Sequence, residues 1–324
     1  MDAPQDKPLV RVVESGPVGQ TLEVSMIYRV PAALGETRFE RSEIHVDLPI
    51  RTRISLYPGV RRVDIETTIE NHASDHRLRA HFPVPVVVDT FDVEGYFDVL
   101  TRSLDLPHDT ENWVEQPVGT HPQRTWADVS DGALGLMIAS QGLPEIEVYR
   151  TKVGSEIALT LLRSVGWLSR ADMPVRRGHA GPGLATPEAQ CIGEYTFRYA
   201  LVPHSGSWQG VFDQAHAFNA PLRAVATSAH DGTLPSSGNF VEVAPENLVV
   251  SAVKEAENGD GLVLRFWNTN TKPSDVTVKY WKAPQRVAQC NLAEEELEEL
   301  AVGIDGSVSA RARGREIVTL LARF

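Results

Sequence analysis

The chain has 324 residues, 42% of them hydrophobic, which is enough to fill one large or two ordinary domains. Its formal net charge of -12, from 31 Lys and Arg against 43 Asp and Glu, speaks against a nucleic-acid binder, because phosphate binding needs clustered cations. No run of 18 apolar residues predicts a membrane span, and the opening MDAPQDKPLVRVVE lacks the basic and apolar regions of a secretory leader. The two cysteines, Cys191 and Cys290, lie far apart, so a reducing, cytoplasmic compartment is expected rather than a disulfide framework.

Along the chain the hydrophobic period is two almost everywhere. TLEVSMIYRV, SEIHVDLPI and TRISLYP read as short strands bounded by turn residues. In RRVDIETTIEN, Val63, Ile65 and Ile69 alternate with Asp64, Glu66, Thr68 and Glu70, the pattern of a half-exposed strand. RLRAHFPV, RTWADVS and LGLMIAS continue the series. In EIALTLLR, Ile157, Leu159 and Leu161 predict a core strand from which Arg163 emerges on the same side. EYTFRYALVP places Tyr195, Phe197, Tyr199 and Leu201 inside and Glu194, Thr196 and Arg198 outside.

Helical periods are few. VFDQAHAFNAPL, 211–222, sets Phe212, Ala215 and Phe218 near one helical face, whereas CNLAEEELEELAV fits either a short helix or a solvated turn between strands. Between them, RAVATSAHDGTLPSSGNF at 223–240 interrupts the strand pattern, and LVLRFWN, VTVKYWK and EIVTLLARF follow. No βαβ rhythm occurs, which predicts packed antiparallel sheets: a large sandwich over 1–222, a linker at 223–238 and a smaller sandwich over 239–324.

No G-x-S-x-G, G-x-x-x-x-G-K-[ST], C-x-x-C or H-E-x-x-H pattern is present. His45 and Asp47 share one face of a strand, within reach of a single metal. Ile44, Val46 and Leu48 occupy the other face, however, so the pair is what any half-exposed strand shows, and no third ligand is implied. His76 and His204 lack a nucleophile or orienting carboxylate at a telling spacing, and 43 acids offer too many pairs to choose a glycosidase couple.

Longer motifs carry more. LTLLRSVGWLSRADMPVRRGHAGPG, followed by TPEAQCIGEYTFRYALVPHSGSW, resembles the C-terminal region of family 38 glycoside hydrolases, the retaining α-mannosidases, and especially their bacterial branch with its mannosylglycerate hydrolase-like members. NHASDHRLRAHFP at 71–83, WADVSDGALGLMIASQGLPEIEV at 126–148, GDGLVLRFWN and REIVTLLARF resemble the same region in the same order.

The resemblance implies an all-β fold: a large galactose-mutarotase-like antiparallel sandwich followed by a smaller immunoglobulin-like one. It also implies that the aspartate nucleophile, the carboxylate acid/base and a divalent metal, usually zinc, belong to an N-terminal α/β barrel followed by a helical bundle. On that footing this chain has no catalytic residue or metal of its own, is inactive alone, and has the barrel, the bundle and an α-mannoside as its partners. His45-Val46-Asp47 shares only letters with the family's metal motif.

The family's β-rich half lends a loop with a substrate-contacting arginine to the sugar pocket. The matching residue is Arg163, with Trp167, Arg170, Asp172 and Arg176 as further substrate-binding candidates. A guanidinium offers five donors in a planar fork that suits hydroxyls and carboxylates, Trp167 could stack on a sugar, and Gly178, Gly181 and Gly183 would let the loop lie close to its neighbour. Two other expectations stand beside this one. The six tryptophans and the sandwich architecture also suit an independent carbohydrate-binding module, which would need an exposed aromatic platform. A structural, oligomerising domain is the other, and an apolar face left by the barrel would favour homo-oligomers.

Overall fold

The computed structural model describes residues 4–324. It falls into two units, residues 4–95 with 100–222, and residues 96–99 with 223–324.

The first unit opens with β1 (Leu9–Gly16), β2 (Gly19–Pro31), β3 (His45–Leu56), β4 (Val63–Asn71) and β5 (Arg77–Val84). β6 (Thr90–Glu94), β7 (Val99–Ser103), β8 (Thr120–Pro122), β9 (Trp126–Ser130) and β10 (Leu134–Ser140) follow. β11 (Glu145–Arg150), β12 (Ser155–Arg163), β13 (Gly193–Ser205) and helix α1 (Phe212–Asn219) complete it. A nine-stranded sheet runs β1-β2-β3-β4-β13-β10-β9-β6-β7, and a four-stranded one runs β5-β12-β11-β8.

The alternation in the sequence decides which side of each strand is buried. Ile65 and Tyr199 of the large sheet meet Ile157, Leu159 and Leu161 of the small one in a shared core, to which Phe91, Val129, Ile138 and Ile146 also belong. Each such side chain contributes about 1.5–3 kcal/mol on leaving water. Thr67 also points inward, and its hydroxyl is satisfied by Tyr199 Oη at 2.8 Å. A neighbouring cluster of Val30, Leu48, Ile69, Leu78 and Leu162 extends the core beneath β2, β3 and β4.

Helix α1 forms where the sequence predicts one and covers the opposite side of the large sheet, burying Phe212, Ala215 and Phe218. Asn219 Nδ2 donates to the Ser140 carbonyl at 3.1 Å, and Gln141 Nε2 donates to that of Phe218 at 2.7 Å. Just before the helix, Trp208 stacks on Trp126 with ring centroids 5.3 Å apart. On this same side His204 donates from Nε2 to Asp128 Oδ1 at 2.7 Å, both side chains being almost wholly buried.

The second unit contains β14 (Val241–Ala244), β15 (Leu248–Glu255), β16 (Leu262–Asn268) and β17 (Ser274–Tyr280). It continues with β18 (Arg286–Cys290), β19 (Glu296–Leu300), β20 (Val308–Ala312) and β21 (Ile317–Arg323). Sheets β14-β17-β20 and β15-β16-β21-β18-β19 enclose Leu264, Phe266, Val276, Val278, Val308 and Leu320.

Of the two readings open for CNLAEEELEELAV, the structure takes the strand pair with a turn. Asn291 Oδ1 accepts the N–H groups of Ala293 and Glu295 at 2.9 and 3.0 Å, which closes the turn. The acidic run then finds cations across the sheet, with Glu296 held by Arg286 and Arg323 and its carboxyl pulled down to about 2. Residues 221–240 carry no helix or strand and are exposed throughout. Both cysteines are free, and among the described residues no helix is long and apolar enough to cross a membrane.

Candidate functional site

β12 does not end as simple alternation predicts. Against β5, Thr160 faces Arg79, but Leu162 then faces Leu78 and Arg163 faces Arg77, so one extra residue is inserted at Leu161. Leu161 and Leu162 are both buried, one in each of the two clusters of the first unit. Such a bulge reverses the facing of every later side chain. Arg163 therefore leaves on the outer side of the small sheet with Thr160, not on the side of Ile157, Leu159 and Leu161.

Glu145 sits at the centre of that outer surface. It accepts from Thr160 Oγ1 at 2.7 Å and from Arg77 Nη1 at 3.1 Å, and its other oxygen is 3.6 Å from Arg163 Nη1. Burial pushes the Glu145 carboxyl up, but the hydrogen bonds from Thr160 and Arg77 and the charges of Arg77 and Arg163 outweigh it and hold the group below its usual range. The Arg163 side chain is 59% exposed. One corner of its fork rests on Glu145, and most of it faces solvent.

The chain from 164 to 192 is pinned at both ends by the segment 71–76. Ser164 N–H donates to the His76 carbonyl at 2.8 Å at the start of the loop. At its end, Asn71 Nδ2 donates to the carbonyls of Gln190 and Cys191 at 3.2 and 2.7 Å. Asn71 Oδ1 accepts from the Ala73 N–H and from His76 Nε2, which uses the full capacity of a wholly buried amide. Gln190 and Asp75 exchange a reciprocal pair at 2.8 and 2.7 Å. Burial, with the charge of Arg41, pushes the His76 imidazole down, which favours the neutral ring this arrangement uses. Within the loop, the hydroxyl of buried Ser169 accepts the N–H groups of Ala180 and Gly181 at 2.9 and 3.1 Å. Gly178 is needed for its φ of +76°, and a Cβ on Gly183 would lie 3.2 Å from the His179 ring. Gly181 faces open space, so close approach does not explain it.

Three of the five sequence candidates come together. The Arg170 guanidinium lies 5.2 Å from the ring centre of half-exposed Trp167 and grips Asp172 in a fork at 2.8 and 3.2 Å. Arg38, from the β2–β3 connection, also pairs with Asp172. Arg176 instead binds Glu115 at 2.5 Å, where 114–116 runs beside 175–177. Among the described residues, no hydrogen bond or ion pair joins Arg163 to either group. Sequence reasoning missed Glu145, Arg77, Arg38 and Glu115, partners that only the tertiary fold supplies. Asn71 lay inside a motif already singled out, but its clamping role did not show.

Trp126, Trp208 and Trp267 are buried, whereas Trp113, Trp167 and Trp281 are exposed. Trp281 packs against Phe324 with centroids 4.5 Å apart and meets Phe240 edge-on. His45 and Asp47 have taken other partners: His45 Nδ1 lies 2.7 Å from the Glu43 carbonyl, and Asp47 accepts from Gln5 at 2.8 Å. Among the described residues no group of three or more His, Cys, Asp or Glu is arranged to hold a metal ion.

The family model "Glycosyl hydrolases family 38 C-terminal domain" matches residues 2–173, and the family 38 C-terminal beta sandwich domain matches residues 247–320. A "Putative mannosylglycerate hydrolase" of Halalkalibacterium halodurans is 28% identical over 96% of this chain and 34% of its own length. Alpha-mannosidase 2C1 of Homo sapiens is 26% identical over 73% of this chain and 20% of its own. The crystal structure of an alpha-mannosidase from Enterococcus faecalis V583 superposes with a TM-score of 0.81 at 28% identity, covering 98% of this chain and 35% of that one. The chain thus spans about a third of the length of these bacterial relatives. It belongs to the family 38 glycosyl hydrolases, as their C-terminal β-sandwich region.

Proposed function

We propose that the chain serves an α-mannosidase-type hydrolase as its non-catalytic part, stabilising a catalytic barrel and lending the Arg163-bearing loop to the sugar pocket. The relatives' names and the fraction of their length that the chain covers support this reading. The observation that carries it is the bulge in β12, which turns an otherwise core-directed strand end outward and leaves a guanidinium with one corner on Glu145 and the rest accessible. An arginine so placed can donate to mannoside hydroxyls or orient a carboxylate of the catalytic part, while Glu145 fixes its direction. On this reading a divalent metal would supply electrostatic stabilisation from the part outside this chain. The chain alone, even with zinc added, is expected to leave an aryl α-mannoside unhydrolysed.

The test is Arg163→Ala in the complete enzyme. Loss of a charged hydrogen bond of about 1.5–3 kcal/mol lowers kcat/KM roughly 10- to 150-fold, with the unfolding midpoint unchanged because the side chain is exposed. Unaltered turnover refutes the role. The exposed rings of Trp281 and Phe240 favour a second reading, a carbohydrate-binding surface on the smaller sandwich, for which Trp281→Ala should weaken oligosaccharide retention without touching turnover.

A further inference from the structure

The outer face of the large sheet, away from the sandwich core, carries a transverse row of charges of alternating sign. Register sets Arg11 opposite Glu23, Glu23 opposite Arg53, Arg53 opposite Glu66, and Glu66 opposite Arg198. Glu23 accepts from Arg11 at 2.6 Å and from Arg53 at 3.1 Å, and Glu66 accepts from Arg198 at 2.9 Å. One row along, Thr21 Oγ1 lies 2.9 Å from Ser55 Oγ and 3.2 Å from Glu14. Over Thr21, Arg53, Ser55, Glu66 and Arg198 lies a cavity of about 580 Å³, walled by Tyr57 and Phe218, and a second of about 450 Å³ opens farther along the same strands over Ser25, Arg51 and Thr68. Both volumes fall within the range of small-ligand sites.

Three features separate this trough from an ordinary solvated sheet face. Glu23 is only 1% exposed although it lies on the outer face of the sheet, so its carboxylate is held beneath two half-exposed arginines, of which Arg53 lines the first cavity. The signs alternate along the row, and the first cavity is lined by both, Glu14, Asp64 and Glu66 beside Arg53 and Arg198, so no large excess of either charge selects an ion. Donors and acceptors instead follow one another at the strand spacing of about 4.8 Å, which suits a neutral chain whose every hydroxyl both donates and accepts. Finally, the Tyr57 ring is seated on the bare backbone of Gly19, where an added Cβ would stand 3.0 Å from two ring carbons. A flat aromatic wall beside a polar floor fits a sugar's apolar face and its hydroxyls together. A docking site for another protein would be depleted of charge at its centre.

We propose that this trough binds a neutral oligosaccharide of at least two hexose units, independently of the Arg163 loop. The experiment titrates this chain with α-mannobiose and, separately, with cellobiose, using calorimetry and backbone amide shifts. Binding near about 1 mM is expected for at least one of the two, with shifts on β2, β3 and β4, and the pair of probes tells a mannoside from a glucoside. Tyr57→Ala and Arg198→Ala should each weaken it tenfold or more while the unfolding midpoint holds, and Arg163→Ala should leave it unchanged. Absence of heat and shifts with both sugars up to roughly 20 mM, shifts centred on the loop after β12 or on Trp281, or equal binding by the Tyr57 and Arg198 variants would each overturn the assignment.

Discussion

Gly135→Ala is the sharpest test of how the buried side of the large sheet is built. Gly135 on β10 lies opposite both Ser130 and His204, and its backbone needs no positive φ, so what it provides is space. A Cβ there would stand 2.4 Å from His204 Cε1, 2.7 Å from its Nε2 and 2.6 Å from Ser130 Cβ, about 1 Å inside normal carbon contact. The His204 side chain is 2% exposed and has nowhere to swing without releasing Asp128, which is fully buried. Overpacking alone costs about 1–3 kcal/mol, and separating a buried charged pair costs about 3–5. We therefore expect a loss of about 3–5 kcal/mol, which for a unit of this size lowers its melting temperature by roughly 6–20 °C. Urea unfolding followed by tryptophan fluorescence measures it. In a His204→Ala background the same substitution should lose at least half its effect, the remainder being the contact with Ser130. A single variant within 0.5 kcal/mol of the parent, or an equal penalty in both backgrounds, refutes the reasoning.

The same pair sets a pH dependence. Burial pushes the His204 imidazole down, but the hydrogen bond and charge of Asp128 outweigh it and raise the group above its ordinary 6.5. Its contribution is then whole below 6.5 and fades as pH rises through the raised value, a slope that Asp128→Asn should abolish in denaturant midpoints.

Asn71→Ala strands two carbonyls and two N–H groups at the loop clamp. A loss of about 2–4 kcal/mol is expected, with faster hydrogen exchange over 164–192, and undiminished protection there argues against the clamp. His76, lowered by burial and Arg41, should act in the opposite sense to His204. Its neutral form is undisturbed above 6.5, and the clamp weakens as pH falls through the lowered value, read as faster exchange in the same segment on acidification.

How much of this was legible depended on the range of the interaction. Alternation in β4 and β13 and the helical face of α1 are local, and the structure buries Ile65, Ile69, Tyr199, Phe212 and Phe218 as the sequence reading expects. The bulge in β12 was not legible, because Leu161 and Leu162 are apolar alike and nothing in LTLLRS marks which cluster each enters. The acidic run after Cys290 was ambiguous for a related reason: the arginines that draw it into a strand come from elsewhere in the second unit. For the candidate site, the long motifs singled out the loop after β12, but Arg163 faces the opposite way from the simple pattern. Arg170, Asp172 and Arg176 are engaged by acids or bases that no spacing rule identifies.

Because one hexapeptide secures both ends of the chain between 164 and 192, those two ends are fixed whatever length of loop lies between them. Lengthening a tethered loop is thermodynamically mild, about 0.6 kcal/mol for each doubling. Residues added between the two anchors would therefore leave the mount itself untouched.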